Sequence, residues 1–540
     1  MARTFRSKGF QWITQFAYDP MDLAYSNTEY QTHFLNLAYT PQKALSMKIA
    51  AEVARAVPRL AACPKYPADT VFGNFRVSYA QNLSEMNSKT KFFYSNNTDT
   101  QPISPQNLEE IAGFGNSPIV SYEGCGAYFL DRLGKGFWRL EVMPDAVQTS
   151  DPFAKASLKK RVVEILRNTW KMKILIPDLG KTFSIKALNA ENTYNSESKD
   201  GGFMIRPGVY LLETKGNTES AKWASDSKWK NIRLGEFVAP ESSVKNFMLV
   251  HNPPENAETG KALPIEAQII GAEFPDSVLI YSDKISFWFD KNPYLKMERS
   301  SGYAWKAEIP EKWLTDGLFR YNAVVCKGDK RFTFPSGEEG SPLDWDFYNQ
   351  KYYEIRLNEP DSPVLLFSAG GNANNLETYS IPAQGFALRK LNSANPAVPS
   401  RLDFELKYQN PETRFFWRKY VKNEMENRKY GIENAQNICL QLSVNGVDTV
   451  NIGLITSDGF TYSAIADLSA SESVLKIPLD RLKQAPTALL PQPYPVFLDN
   501  HFVPDVQIPF DKRKIEMFEI SVSGLSAENA AISLGNIWLE

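Results

Sequence analysis

Hydrophobic and polar positions divide the chain into a short front region with helical spacing and a long remainder of short alternating runs. ARTFRSKGF has helix-compatible spacing up to Gly9, the residue a helix C-terminus favours because the left-handed conformation costs it no Cβ clash. QWITQFAYD is rich in aromatic and β-branched residues and reads as a strand. Thr40 and Pro41 then open a helix over PQKALSMKIAAEVARAV, with Thr40 as N-cap and Pro41 in the first turn. Leu45, Ile49, Val53 and Val57 recur every four residues and form its buried stripe. FRVSYA and KFFYSNNT read as strands, with a short helix from Pro105 to Ala112. Strand–helix–strand order predicts βα units. A complete (β/α)₈ barrel takes about 250 residues, so residues 1–118 are expected to be a partial α/β barrel segment, with a small stand-alone α+β domain as the alternative.

From residue 119 the pattern is all strand. PIVSYEGCGAYFLDRL and GFWRLEVMP are joined by a turn at Gly134-Lys135-Gly136, and KMKILIP, KTFSIKAL and GFMIRPGVYLLE follow. This predicts a β-sandwich over 119–215. Residues 216–234 are polar and lysine-rich and read as a linker. Closely spaced strands from KNFMLVHNP to YYEIRL predict an immunoglobulin-like sandwich over 216–361. Trp345, in the interruption SPLDWDFY, is expected to pin that sandwich to its neighbour. Residues 362–540, from VLLFSAG to AAISLGNIWLE, suit a jelly roll. The fold class is therefore multidomain and mainly β.

Composition narrows the function classes. The 540 residues carry 60 Lys+Arg against 62 Asp+Glu, a net charge of −2, so no basic surplus points to nucleic acid. No apolar run reaches the ~20 residues of a membrane span. Aromatic residues make up 13% and there are only three histidines, which fits sugar-stacking surfaces better than a metal or nucleotide enzyme. Cys63, Cys125, Cys326 and Cys439 form no CxxC pair and are expected to be free, mostly buried thiols. The N-terminal residues lack the apolar stretch of roughly 7–15 residues of a secretory signal. No Ser-His-Asp order, phosphate loop or HExxH appears.

The segments QFAYDPMDLAYSNTEYQTHFLNLAYTP, SPIVSYEGCGAYFLDRLGKGFWRLEVMPD and SPLDWDFY resemble the back half of multimodular glycoside hydrolase-like proteins of Bacteroidetes. In these, a clan-A type barrel is followed by β-sandwich modules. KIPLDRL, LLPQPYPVFL and ISLGNIWLE are similar to jelly-roll carbohydrate-binding modules. The resemblance implies the C-terminal part or a subunit of a glycoside hydrolase acting on an oligo- or polysaccharide, secreted, periplasmic or at the cell surface. A non-catalytic glycan-binding or scaffold protein is the alternative. No cofactor is implied beyond the structural calcium some jelly rolls hold. An open half-barrel would favour a homo-oligomer or a partner chain that completes it.

Glycoside hydrolysis needs two carboxyl groups flanking the scissile bond. Asp19, at the end of QWITQFAY, and Glu29, on the following loop, are the first pair, with a turn Asp and a solvated loop Glu as the bland alternatives. Glu123 closes PIVSY and, next to Gly124 where the sandwich starts, reads more readily as a turn carboxylate than as a substrate contact. Tyr18, Tyr30, His33, Tyr94 and Asn96 are candidate saccharide contacts around the same mouth. Trp417 and Tyr462 are candidates for a C-terminal stacking platform with Tyr420 and Tyr494, and core packing explains Trp417 equally well.

Overall fold

The computed structural model describes the chain except residues 1, 15–17, 27–34, 64–68, 152–156, 218–219, 285–292, 316, 393–398, 467–473, 495 and 526–529. The fold is mainly β. A helix at Ala2–Ser7 is followed by Gly9 with φ +84°, as its sequence requires. The helix Pro41–Ala56 buries Leu45, Ile49 and Val53. That stripe packs on strands Leu83–Asn87 and Lys91–Tyr94 and shares a core with Phe93, Ala112 and Ile165.

The partial barrel is not confirmed. Ten of the strands between Thr70–Phe72 and Gly208–Thr214 form one sheet. Within it only Lys91–Tyr94 and Glu110–Gly113 run parallel. The segment expected as a helix, Pro105 to Ala112, is instead a single 3-10 turn, Pro105–Asn107, that leads into the strand Glu110–Gly113. Glu110–Gly113 pairs antiparallel with Tyr128–Gly134, so the sheet runs across the boundary expected at residue 118. QWITQFAYD forms no strand among its described residues. With no half-barrel seen, the argument for a partner that completes one loses its footing.

A smaller sheet of Val120–Tyr122, Trp170–Ile174 and Gly202–Ile205 lies across the second core, with Trp138, Tyr128 and Tyr210. The stretch read as a linker is packed: Leu234 is buried with Phe137 and Leu211, and Trp223 and Trp229 cover them. Strands Met248–Val250 to Tyr353–Asn358 surround a separate core of Ile265, Trp305 and Tyr321.

The C-terminal region is a sandwich of two six-stranded sheets. One contains Phe386–Asn392, Arg401–Lys407 and Ala531–Leu539; the other contains Arg414–Tyr420, Ile515–Leu525 and Val447–Thr456. Alternation decides the faces. Phe415, Trp417, Ile452, Leu454, Phe518 and Ile520 enter the shared core. Phe416, Arg418, Met517 and Glu519 alternate with them and take the opposite face.

Buried polar groups fix the junctions between units. Asp145 is wholly buried and accepts from Trp170 Nε1–H and from Tyr303 O–H, each at 2.6 Å. Its other oxygen accepts from the Cys125 backbone N–H at 2.6 Å. Tyr303 precedes the strand Ala304–Ile309 of the following unit, so this carboxylate ties the two together. Glu258 accepts from the Tyr430 backbone N–H at 2.9 Å and from Lys261 Nζ at 2.6 Å, which joins the third unit to the C-terminal sandwich.

Candidate functional site

A cleft of about 1390 Å³ lies on the outer face of the second C-terminal sheet. Its floor includes Arg418, Met517 and Ile455, one wall is residues 487–491 with 499–503 and Asp505, and the facing wall is Arg3, Thr4, Ser7 and Lys8 with residues 60–63. Strand alternation exposes this floor: with Trp417 and Phe518 in the core, Arg418 and Met517 must face outward. Arg418 is held by Glu519 through Nε at 3.0 Å and through a second, shorter contact, and it also donates to the Ala488 carbonyl at 3.0 Å. Burial raises the Glu519 carboxyl and the Arg418 charge pulls it back. This pair anchors the loop to the floor.

On the loop, His501 Nδ1 lies 2.6 Å from Asn500 Oδ1, and burial followed by the Arg414 charge lowers its pKa. Phe502 packs on Phe460. The cleft thus offers cationic, carboxylate, amide and imidazole groups beside ring and aliphatic surface. That mix suits a ligand with many hydroxyls and an apolar face.

Among the described residues, the expected ones do not converge on one mouth. Asp19 is buried, and its Oδ2 accepts from the Leu35 N–H at 2.6 Å. Asn36 Nδ2 donates to the Asp19 carbonyl at 2.9 Å. Asp19 therefore clasps the chain ahead of the helix Pro41–Ala56. Tyr18 is exposed and its hydroxyl accepts from the Leu37 N–H at 3.0 Å. Glu29, Tyr30 and His33 lie outside the described residues.

Tyr94 faces no mouth. It is wholly buried, bonded to the Tyr128 hydroxyl at 2.5 Å, and burial pushes its pKa far up. Asn96 Nδ2 donates to the Gln81 carbonyl at 2.9 Å. Glu123 is exposed after the strand Val120–Tyr122, which belongs to a different sheet from Tyr94.

Trp417 and Tyr462 form no platform. Trp417 is fully buried against Phe404 and Phe415, and Tyr462 is buried with its hydroxyl donating to the Ile508 carbonyl at 2.9 Å. Their place on the inward register of each strand is the reason. Tyr420 and Tyr494 are exposed. Trp345 pins no interface, being 96% exposed. All four thiols are free, but only Cys439 is fully buried. Burial, and then the Asp145 charge, pushes the Cys125 thiol up to about 12, which removes it as a nucleophile at neutral pH. Among the described residues no group of three His, Cys, Asp or Glu could hold a metal ion, and no helix is long and apolar enough to cross a membrane.

A second constellation escaped the sequence reading. Glu110 and Asp131 stand directly opposite on antiparallel strands, which places their Cβ atoms about 4.5–5.5 Å apart. Glu110 pairs with Lys48 at 2.7 Å. Burial, then the Glu110 charge, pushes Asp131 up to about 6 against the pull of Lys230, Arg139 and Lys48. A hollow of about 470 Å³ opens beside Glu110, lined also by Arg132, Trp229 and Lys230 among others, while Asp131 is not in its lining. Only strand pairing reveals this proximity, because the two residues are 21 positions apart.

No protein-family model matches the chain, and no curated protein matches it. Among solved structures, the family 11 carbohydrate-binding module from Clostridium thermocellum in complex with a β-1,3-1,4-mixed-linked tetrasaccharide is similar over 33% of this chain and 94% of its own. The identity is 12% and the TM-score 0.24. The low-affinity xylan-binding module of Roseburia intestinalis matches over 31% and 94%, at 11% identity and a TM-score of 0.16. An exo-β-agarase matches over 33% and 25%, at 10% identity and a TM-score of 0.21. At such TM-scores these likenesses carry no weight for fold or function. The class the geometry defines is a multi-unit β protein with a polar cleft on its C-terminal sandwich.

Proposed function

We propose that the chain is a glycan-binding protein that holds an oligo- or polysaccharide in the cleft between its N-terminal helix and the outer face of the C-terminal sandwich. The observation that carries this reading is the cleft's composition and size. About 1390 Å³ accommodates several sugar units, and Arg418, Asn500, His501 and Asp499 line it beside Phe502, Met517 and Ile455. Sugar hydroxyls exchange bonds with the polar groups, and the C–H faces pack on the apolar ones. The reading also implies a location where polysaccharide is met: secreted, periplasmic or at the cell surface.

Affinity electrophoresis through gels containing mixed-linked β-glucan, xylan or agarose tests it. Wild-type retardation on one polysaccharide, reduced at least about fivefold in His501→Ala and in Asp499→Ala with unchanged melting temperatures, is expected. No retardation on any of them, or retardation insensitive to both substitutions, overturns it.

Hydrolysis is the second reading, and one observation favours it. An ion-paired Glu110 beside an Asp131 that titrates near 6 has the form of a base and acid pair. It relocates catalysis from Asp19 to the first sheet. Reducing-sugar release that vanishes in Asp131→Asn while cleft binding persists supports it. No release by the wild type counts against it.

A further inference from the structure

Residues 341–348, SPLDWDFY, lie outside both sites. Two consecutive turns build the segment. The Asp344 N–H donates to the Ser341 carbonyl at 2.9 Å and the Phe347 N–H to the Asp344 carbonyl at 3.1 Å. Pro342 takes the second position of the first turn, where its fixed φ fits. Asp344 Oδ2 accepts from the Ser341 N–H at 2.7 Å. Phe347 lies against Gly340, whose φ is +125° and whose added Cβ would sit 2.9 Å from the ring. Asn349 Nδ2 donates to Glu338 Oε1 at 2.8 Å. The backbone is thus braced, while the side chains at and beyond the turn tips stand in water: Leu343 is exposed, Trp345 is 96% exposed and Tyr348 is 89% exposed. Phe347, against Gly340, is half-buried. Two large rings left in water forgo the stabilisation of burial, so the exposure calls for an occupant.

We propose that this braced turn pair is a second glycan contact, on which sugar rings of a neutral polysaccharide stack against Trp345 and Tyr348 while Asp346 accepts sugar hydroxyls. The inference rests on the glycan-binding reading above. Two features favour this occupant over a protein. Trp345 and Tyr348 together offer at most roughly 300–500 Å² at 150–250 Å² per large ring, below the roughly 800 Å² per partner of a stable protein interface. Between residues 338 and 352 the chain carries four carboxylates, Glu338, Glu339, Asp344 and Asp346, against Lys351, with Arg331 on the adjacent strand, whose carbonyl accepts from the Gly340 N–H at 2.9 Å. Such charge is depleted from the centre of protein interfaces and repels an anionic polysaccharide.

The test is retention of the full chain on insoluble mixed-linked β-glucan, xylan and agarose, for wild type, Trp345→Ala, Tyr348→Ala and the double variant. Both side chains are exposed, so melting temperatures should not move. A tenfold or greater loss of retention in the double variant is expected, with oligosaccharide binding in the cleft unchanged. Unchanged retention overturns the inference alone if His501→Ala still weakens binding. A wild type that binds none of the three polysaccharides overturns both readings. Self-association that disappears in Trp345→Ala by sedimentation velocity, with retention unchanged, assigns the surface to a second copy and also overturns it.

Discussion

Replacing Tyr303 by Phe removes one hydroxyl from a wholly buried carboxylate contact, that of Asp145. That hydroxyl donates to Asp145 at 2.6 Å and accepts from Asn168 Nδ2 at 3.0 Å. Burial raises Asp145 to about 6, although four donors, Tyr303, Trp170 and the Cys125 and Gly126 N–H groups, favour its charged form. Above pH 6 the lost bond is charge-assisted, worth about 1.5–3 kcal/mol, and the lost Asn168 bond adds about 0.5–1. Near pH 4.5 Asp145 is protonated and the same bond is neutral, worth about 1 kcal/mol. Tyr303→Phe should therefore destabilise by about 2–4 kcal/mol at pH 7.5 and by roughly half that at pH 4.5.

The sign of the wild-type contribution follows from the same group. A carboxyl with its folded pKa raised contributes stability that is complete below its ordinary value of 3.8 and lost as pH rises through about 6. Asp145 thus favours the fold at low pH, and Tyr303→Phe narrows the deficit there. Thermal unfolding of both proteins at the two pH values measures it, at about 2–4 °C per kcal/mol for a unit of this size. A loss equal at both pH values, or under about 0.5 kcal/mol at pH 7.5, refutes the reasoning.

Three further substitutions test separate parts of the structure. Glu424→Leu strands Lys419, whose side chain is almost wholly buried against that carboxylate, and should cost about 3–5 kcal/mol in the C-terminal transition by denaturant unfolding. Gly126→Ala puts a Cβ 2.2 Å from the Met143 carbonyl oxygen and 2.6 Å from that of Pro144; backbone must move, and a loss of at least about 1–3 kcal/mol by calorimetry is expected. Asp19→Ala frees the Leu35 N–H and should lower stability by about 1.5–3 kcal/mol while leaving polysaccharide retention intact.

Local pattern was legible and long-range pairing was not. Leu45, Ile49 and Val53 declared the helix that buries them, and Gly134-Lys135-Gly136 declared the hairpin that joins Tyr128–Gly134 to Phe137–Val142. The parallel pair Lys91–Tyr94 and Glu110–Gly113 is where the α/β reading arose, because a parallel crossover usually needs a helix. Here a 3-10 turn and extended chain make the crossing, and the next strand returns antiparallel. Sandwich strands were recognisable by alternation, but which face of RFFWRKY turns inward depends on its partners Glu377–Ile381 and Ile515–Leu525. Trp417 therefore looked available and Arg418 did not. The cleft joins residues 3–8 to residues 487–491 and 499–505, a proximity that no local pattern encodes.

Hydrogen exchange read with and without a saturating oligosaccharide tests the central claim most directly. Slower exchange should appear in residues 2–8, 60–63, 487–491 and 499–505 together, because ligand in the cleft couples both walls. Protection confined to the hollow beside Glu110, or absent everywhere at saturation, would contradict the account.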